Sequence, residues 1–261
     1  MDFETLVAAV AQRLLAADRA VIALSGGVDS GLVAAAVHAA HAAGGRRDHH
    51  APPMAVTIHS ELSAGRDVER AAEVARHIGI NHHVIDVRML DIDAVRRNGP
   101  DRCYHCKDAI FALLRRDWGA GCLLMDGTNG DDDPARPGLR AAAEHGVFHP
   151  LRQLGVAKAR VRELARAAGL SNHDAASESC LATRLAPGTM LTAGRLDKVR
   201  RMEGFWHERG VNTLRARHDD MVATVEYPGQ HAETMEQNRD LFCRMIKGIG
   251  LESCRFEEWS Q

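Results

Sequence analysis

Ser25-Gly26-Gly27-Val28-Asp29-Ser30 brings together the residue types of a phosphate site. Two glycines let the backbone approach a ligand closely, and two serines offer hydroxyl donors. Asp29 is a carboxylate suited to a Mg²⁺ that bridges phosphate oxygens. The apolar run 21–24 precedes this turn and a helix-forming segment, 30–43, follows it. A strand that ends in a glycine turn and opens a helix presents unpaired N–H groups and the positive end of the helix dipole. No lysine follows the glycines, so this is not a G-x-x-x-x-G-K-[ST] loop. A plain strand–glycine–helix connection is the competing reading; six matching positions in the right context favour the phosphate site.

Asp101-Arg102-Cys103-Tyr104-His105-Cys106-Lys107 is the second group. Two thiols three apart, where a loop enters a helix, can converge on one metal or cluster, and a helix start favours the thiolate that a metal needs. Cys180 is the third, in the segment that leaves the first domain. Three cysteines can hold three corners of a [4Fe–4S] cluster and leave one iron open. Zinc completed by a histidine, and thiols that hold no metal, are the other readings of the same residues. Cys122 reads as a small core hydrophobe, and Cys243 and Cys254 show no partner pattern. His49, His50, His82 and His83 fall in loops or strand starts and read as no metal site. The loop 127–132, with Gly127, Thr128 and Asn129, follows a strand and can line the phosphate rim. Its bland alternative is an Asn129-Gly130 turn.

These groups need a frame. Strand-like runs at 21–24, 54–59, 83–87, 122–126 and 147–151 alternate with helical patterns at 30–43, 66–78, 107–118, 139–144 and 157–168. Such alternation implies βαβ units and a parallel sheet covered on both faces, with ligands at the carboxyl ends of the strands. That rule places Ser25, the stretch 57–60 and Gly127–Asn129 on one rim. Residues 3–14 form an amphipathic helix with Phe3, Leu6, Val7, Val10 and Leu14 on one face. After Leu170 the character changes. A helix at 193–209, strands at 214–218 and 222–227, a helix at 232–246 and a strand at 255–258 make a small α+β unit. The expectation is a first, phosphate-binding domain over 1–172 and a second domain over 173–261.

The 261 residues are 45% hydrophobic and 26% charged, with a net charge of -2, so no basic field draws the chain to nucleic acid or anionic lipid. All but four of its 33 basic residues are arginine, a bias that reads as coding composition. No apolar run approaches the roughly 18 residues of a membrane span. Asp2 and Glu4 stand where a signal peptide would be basic, so a cytoplasmic location is expected. Six cysteines in such a chain argue against a disulfide framework.

The segment 25–30 is similar to the SGG-x-DS motif of the PP-loop ATP pyrophosphatases. Together with RCYHCK at 102–107, GTNGDD at 127–132, RPGLRAA at 136–142 and SCLATR at 179–184, it resembles the LarE family over roughly residues 15–227. These are ATP-dependent sulfur transferases of nickel-pincer nucleotide biosynthesis. The resemblance implies an α/β fold: an adenine nucleotide alpha hydrolase-like (PP-loop, Rossmann-like) domain with a smaller C-terminal α+β domain. It implies ATP and Mg²⁺ held by Ser25, Gly26, Gly27, Val28, Asp29, Ser30, Gly127, Thr128 and Asn129. The implied substrate is a small molecule, a pyridinium biscarboxylate mononucleotide whose carboxylates are adenylated and converted to thiocarboxylates. Asp29 and Cys180 would be catalytic, Cys180 matching the sulfur-donating cysteine. Arg184, Arg215 and Arg217 match arginines that face the substrate phosphate.

Family members either sacrifice the sulfur of one cysteine or carry an iron–sulfur cluster on three. Cys103 and Cys106, with Cys180, place the chain with the second kind, its sulfide source unnamed. A homo-oligomer is also implied. The C-terminal end departs from the family, without its Gly-Tyr-Arg-rich ending. Two other PP-loop activities compete. A tRNA thiolase is disfavoured by the net charge and by few aromatics, and an amide-forming ligase by the lack of a glutaminase-like segment.

Overall fold

The computed structural model describes residues 1–44, 51–175 and 179–259. Its contacts divide the chain into two compact units. The first comprises Met1–Ser60, Arg66–Val87 and Asp101–Ser177, and the second Glu61–Gly65, Arg88–Pro100 and Glu178–Gln261.

In chain order the elements begin with α1 (Phe3–Leu14), β1 (Arg19–Ala23), α2 (Val28–Ala43), β2 (Met54–His59), α3 (Asp67–Ile78) and β3 (Asn81–Asp86). A short helix α4 (Asp93–Arg96) belongs to the second unit. The first unit resumes with α5 (Arg102–Trp118), β4 (Cys122–Met125), α6 (Pro137–Glu144), α7 (Pro150–Gln153) and α8 (Lys158–Ala167). Its sheet has the order β3-β2-β1-β4, with every pairing parallel.

The central strand β1 shows why the sheet is covered on both faces. Ala20 and Ile22 join a cluster with Leu6 and Val10 of α1, Val33 and Val37 of α2 and Val161 of α8. Val21, pointing the other way, packs with Phe111, Leu114 and Leu124. Burying such a side chain is worth about 1.5–3 kcal/mol, so a strand apolar on both faces is stable only between two helical layers. α1 starts on a capping bond from Thr5 N to Asp2 Oδ1 of 2.9 Å and turns Leu6 and Val10 inward.

Three expectations are corrected here. α5 begins at Arg102, so Cys103 and Cys106 lie on its first turns and not in a loop. The expected strand at 147–151 is reduced to one parallel bridge, Phe148 to Met125. Pro150, which has no N–H to give a ladder, opens α7 instead. β3 starts earlier than expected, at Asn81; His82 Nε2 lies 2.8 Å from Thr57 Oγ1, whose own proton goes to Leu24 O. His49 and His50 lie outside the described residues.

The second unit contains α9 (Ala193–His207), β5 (Arg215–His218), β6 (Val222–Tyr227), α10 (Ala232–Gly248) and β7 (Ser253–Glu258). β5 pairs antiparallel with β6, which pairs parallel with β7. Trp206 and Phe242, both fully buried, centre its core with ring centroids 5.1 Å apart. Segments 61–65 and 88–100 are stitched into this unit by backbone bonds such as Leu181 N to Leu62 O (3.0 Å) and Gly188 N to Asn98 O (2.8 Å). Cys243 of α10 and Cys254 of β7 form a disulfide, with Cα atoms 6.3 Å apart. That corrects the reading of both as partnerless. The parallel crossover returns β7 against α10, a proximity no cysteine spacing announces. Among the described residues no helix is long and apolar enough to cross a membrane.

Candidate phosphate site and the cysteine turn

The carboxyl end of β1 runs into the glycine turn, and α2 opens at Val28 with Gly27 as its cap. Among the described residues no side chain caps the helix, so its first amides are left for a ligand. Ser30 folds back, its hydroxyl donating to Gly27 O at 3.2 Å and accepting from Ser25 N at 3.2 Å. Ser25 Oγ lies 3.1 Å from Ser30 Oγ and accepts from Gly27 N at 3.4 Å. Gly26 has φ +77°, and a Cβ there would stand 2.9 Å from Ala71 N on α3. Glycine is required at that position by the fold itself, before any ligand is considered. Asn172 braces the turn from below, its Nδ2 donating to Gly26 O at 3.0 Å.

The loop after β4 closes over this turn. A Cβ on Gly127 would fall 2.4 Å from Ser30 N, so the two backbones touch. Asn129 is buried and donates from Nδ2 to Asp29 Oδ1 at 2.9 Å. Asp131 and Asp132 shape the loop: Asp132 Oδ2 accepts from Asn129 N, and Asp131 Oδ2 accepts from Lys158 N. Lys158 then sends its ammonium to the other oxygen of Asp29. Of the segments expected on one rim, Ser25 and Gly127–Asn129 are therefore assembled there together, beside Asp29 and Ser30. Thr128 is half-buried, its N–H bound to Asp126 Oδ1.

Lys158 was not foreseen. It supplies, from the start of α8, the cation that the glycine turn itself does not carry. With a carboxylate, two hydroxyls and helix amides, the site holds oxygen donors for Mg²⁺ and N–H donors for phosphate.

Cys103 and Cys106 stand one turn apart at the start of α5, exposed and half-buried respectively. Arg102 donates to Cys103 Sγ at 3.4 Å. Cys122 is buried in β4, and burial pushes its thiol up. Among the described residues no three His, Cys, Asp or Glu side chains are grouped as a metal site.

In the second unit Cys180 is exposed and caps the 3₁₀ turn Leu181–Arg184. Thr183 ties the turn, donating to Cys180 O from N (3.0 Å) and from Oγ1 (2.8 Å). Arg184 is buried, with Nε on Glu203 Oε1 at 2.6 Å and Nη1 on Ser179 and Thr183 at 2.6 and 2.8 Å. Glu203 Oε1 also accepts from Ala216 N at 3.1 Å, linking the turn to β5. Arg217 pairs with Glu226 at 2.7 Å and donates to Thr183 O at 2.8 Å. Arg215 is exposed, with its guanidinium 5.9 Å from the Trp259 ring. Of the three arginines, Arg215 is the most open to a ligand, while Arg184 and Arg217 are engaged in shaping the Cys180 turn.

Residues 3–111 match the family model described as asparagine synthase. An uncharacterised protein of Synechocystis sp. is 33% identical over 86% of this chain and 82% of its own length. Pyridinium-3,5-bisthiocarboxylic acid mononucleotide synthase of Lactiplantibacillus plantarum is 28% identical over 94% of this chain and 86% of its own. The solved structure of NMN synthetase from Francisella tularensis overlaps 80% of this chain and 92% of that one, at 17% identity and a TM-score of 0.46.

Proposed function

The chain belongs to the LarE family of PP-loop, ATP-dependent sulfurtransferases, and on that premise we propose that it adenylates a carboxylate of a pyridinium biscarboxylate mononucleotide and exchanges the carboxylate oxygen for sulfur. The observation that carries this reading is the convergence of Asn129 and Lys158 on Asp29 beside the α2 amides. It is a site for the pyrophosphate half of ATP.

A carboxylate is a poor electrophile. Transfer of AMP to its oxygen, with release of pyrophosphate, makes that oxygen a good leaving group for a sulfur nucleophile. The amides of α2 and the hydroxyls of Ser25 and Ser30 bind the phosphates that leave. Lys158 can turn from Asp29 to a phosphate once ATP arrives. Asp29 would hold the Mg²⁺, which when bound offsets the charge gathered on the pyrophosphate. Arg215 binds the phosphate of the mononucleotide, in keeping with the fork geometry that suits arginine to phosphate.

The finer reading concerns the sulfur. Cys103, Cys106 and Cys180 are thiols of the type that hold a [4Fe–4S] cluster; Cys103 and Cys106 stand one turn apart, exposed and half-buried, and three thiols leave one iron for an exogenous ligand. Cys180 giving up its own sulfur is the competing route, favoured by its exposure on a braced turn. The fit to either is one of donor chemistry. A cytoplasmic location and a homo-oligomer complete the proposal, both from the family resemblance and the sequence.

The test is pyrophosphate release. With Mg²⁺–ATP, the purified protein should release it on addition of the pyridinium biscarboxylate mononucleotide and form the acyl-adenylate. Stimulation by a tRNA pool instead would overturn the substrate assignment.

A further inference from the structure

One buried pair beside the phosphate site has no part in the steps above. His149 Nδ1 lies 2.7 Å from Asp126 Oδ1, and their side chains are 16% and 8% exposed. The chain places them together because Phe148 bridges Met125 in parallel, so the next residue of each segment emerges at the carboxyl end of the sheet. Gly127, directly after Asp126, packs on the backbone of Asp29 and Ser30. The pair thus sits one residue from the contact between the β4 loop and the phosphate turn.

Asp126 is held as a carboxylate. Burial pushes its carboxyl up, but the His149 hydrogen bond, the Lys107 ammonium at 3.8 Å, the charge of His149 when it is protonated and the Thr128 N–H outweigh it and hold it well below the usual range. A carboxylate only accepts, so Nδ1 of His149 carries the proton, and in the neutral ring Nε2 is the basic atom. Among the described residues the ring's hydrogen bond is the one through Nδ1. The charged groups set against it are Asp126, from the end of β4, and behind Asp126 the ammonium of Lys107 from α5.

We propose that His149 is the general base of the sulfur-transfer step, oriented by Asp126. The inference rests on the adenylation reading. Forming the acyl-adenylate moves no proton: the carboxylate oxygen bonds to the α-phosphorus and the bond to pyrophosphate breaks. The next step does move one. When hydrosulfide attacks the acyl carbon, a C–S bond forms and the C–O bond to AMP breaks, its electron pair leaving on the AMP phosphate. The S–H proton passes to Nε2, and the imidazolium that results faces the Asp126 carboxylate. No electrons are gained or lost. A carboxylate that fixes the tautomer and stabilises the charged ring is the arrangement by which a histidine becomes an effective base.

The experiment supplies the purified chain with Mg²⁺–ATP, the pyridinium biscarboxylate mononucleotide and hydrosulfide. Acyl-adenylate and thiocarboxylate are followed by mass spectrometry after quenching, across the histidine pH range. His149→Asn keeps an amide near Asp126 but has no base. It should let acyl-adenylate accumulate, slow its conversion about 100-fold or more at a fixed concentration of the hydrosulfide anion, and remove the acidic limb that remains once protonation of hydrosulfide itself is allowed for. Asp126→Asn, which admits the other tautomer, should slow the same step and so guards against a folding artefact in the first variant. Conversion by both variants at the wild-type rate, with the wild-type acidic limb, overturns the inference while the adenylation reading stands. A wild-type protein that forms no acyl-adenylate overturns both.

Discussion

Lys158 rests its ammonium on the Asp29 carboxylate across 129 residues of sequence. Both side chains are partly exposed, so the pair is a poor source of stability and is better placed to be exchanged for phosphate and metal. We expect Lys158→Met to lower the rate of pyrophosphate release by about two to three powers of ten, the range for loss of one preorganised charge contact. Asp29→Ala should do the same. Steady-state measurement of pyrophosphate against ATP concentration checks both; a Lys158→Met enzyme with unchanged ATP dependence and rate would separate the lysine from the phosphates.

Gly26 is constrained by α3 as well as by any ligand. Its φ of +77° costs an L-residue about 1–2 kcal/mol, and its Cβ would press on the Ala71 amide. Gly26→Ala is therefore expected to lower stability in urea as well as ATP binding. Gly127→Ala should be worse, since a Cβ there would overlap the Ser30 backbone nitrogen. Denaturation midpoints of the ligand-free variants measure this, with no change at either position counting against the packing described.

Arg184 and Glu203 form a pair with side chains only 5% and 7% exposed. Removing one partner leaves a buried charge uncompensated, so Arg184→Ala should cost about 3–5 kcal/mol of stability. Among the described residues Arg215 makes no such pair. Arg215→Ala should leave the denaturation midpoint where it is and raise the KM for the mononucleotide about 10- to 100-fold, the value of a hydrogen bond to a charged group. Equal effects of the two variants on stability would show that the arginines are not divided in this way.

The same two arginines mark what sequence can and cannot disclose. The apolar run before Ser25 and the alternation of strands and helices made the parallel sheet and the ligand-bearing rim legible, though not the order of its strands, because periodicity and glycine turns act locally. Asn129 was legible for the same reason, lying just past a strand. Lys158 was not, since a lysine at a helix start is ordinary until the fold sets it against Asp29. Glu203 had no signal either: a glutamate inside α9 looks solvent-facing, and only the packing of α9 under β5 buries it beside Arg184. The extension of α5 back to Arg102 was missed because Cys, Tyr and His weigh little as helix formers.

His218 is buried in β5, accepting at Nδ1 from Asp220 N (3.1 Å) with Nε2 on Arg195 O (3.0 Å). Burial pushes its imidazole below the ordinary histidine value; the Arg195 carbonyl and Asp220 oppose this, and Lys198 and Arg195 add to it. A lowered folded value means that the unfolded chain binds the proton first. The stability contribution is thus complete above the ordinary histidine value and is lost as pH falls through it toward the folded one. Urea midpoints should drop over that window, and His218→Gln should flatten the drop. A wild-type profile that is level there would contradict the neutral buried ring.

Cys103, Cys106 and Cys180 give the two sulfur routes opposite forecasts. A [4Fe–4S] cluster needs thiolates, and a chain purified without air should then be brown with about four irons. Replacing any of the three by Ala should bleach it and stop sulfur transfer, whereas Cys122→Ala, inside β4, should leave colour and transfer in place. If Cys180 instead gives its own sulfur, the protein is colourless, turns over once, and leaves residue 180 lighter by the mass of hydrogen sulfide, with Cys103→Ala still active. Iron and sulfide analysis together with intact mass before and after one turnover decides between them. The helical placement of Cys103 and Cys106 favours the cluster. Cys103 and Cys106 stand one turn apart at the start of α5, with Arg102 donating to Cys103 Sγ. A sacrificial Cys180 would leave that arrangement without a use.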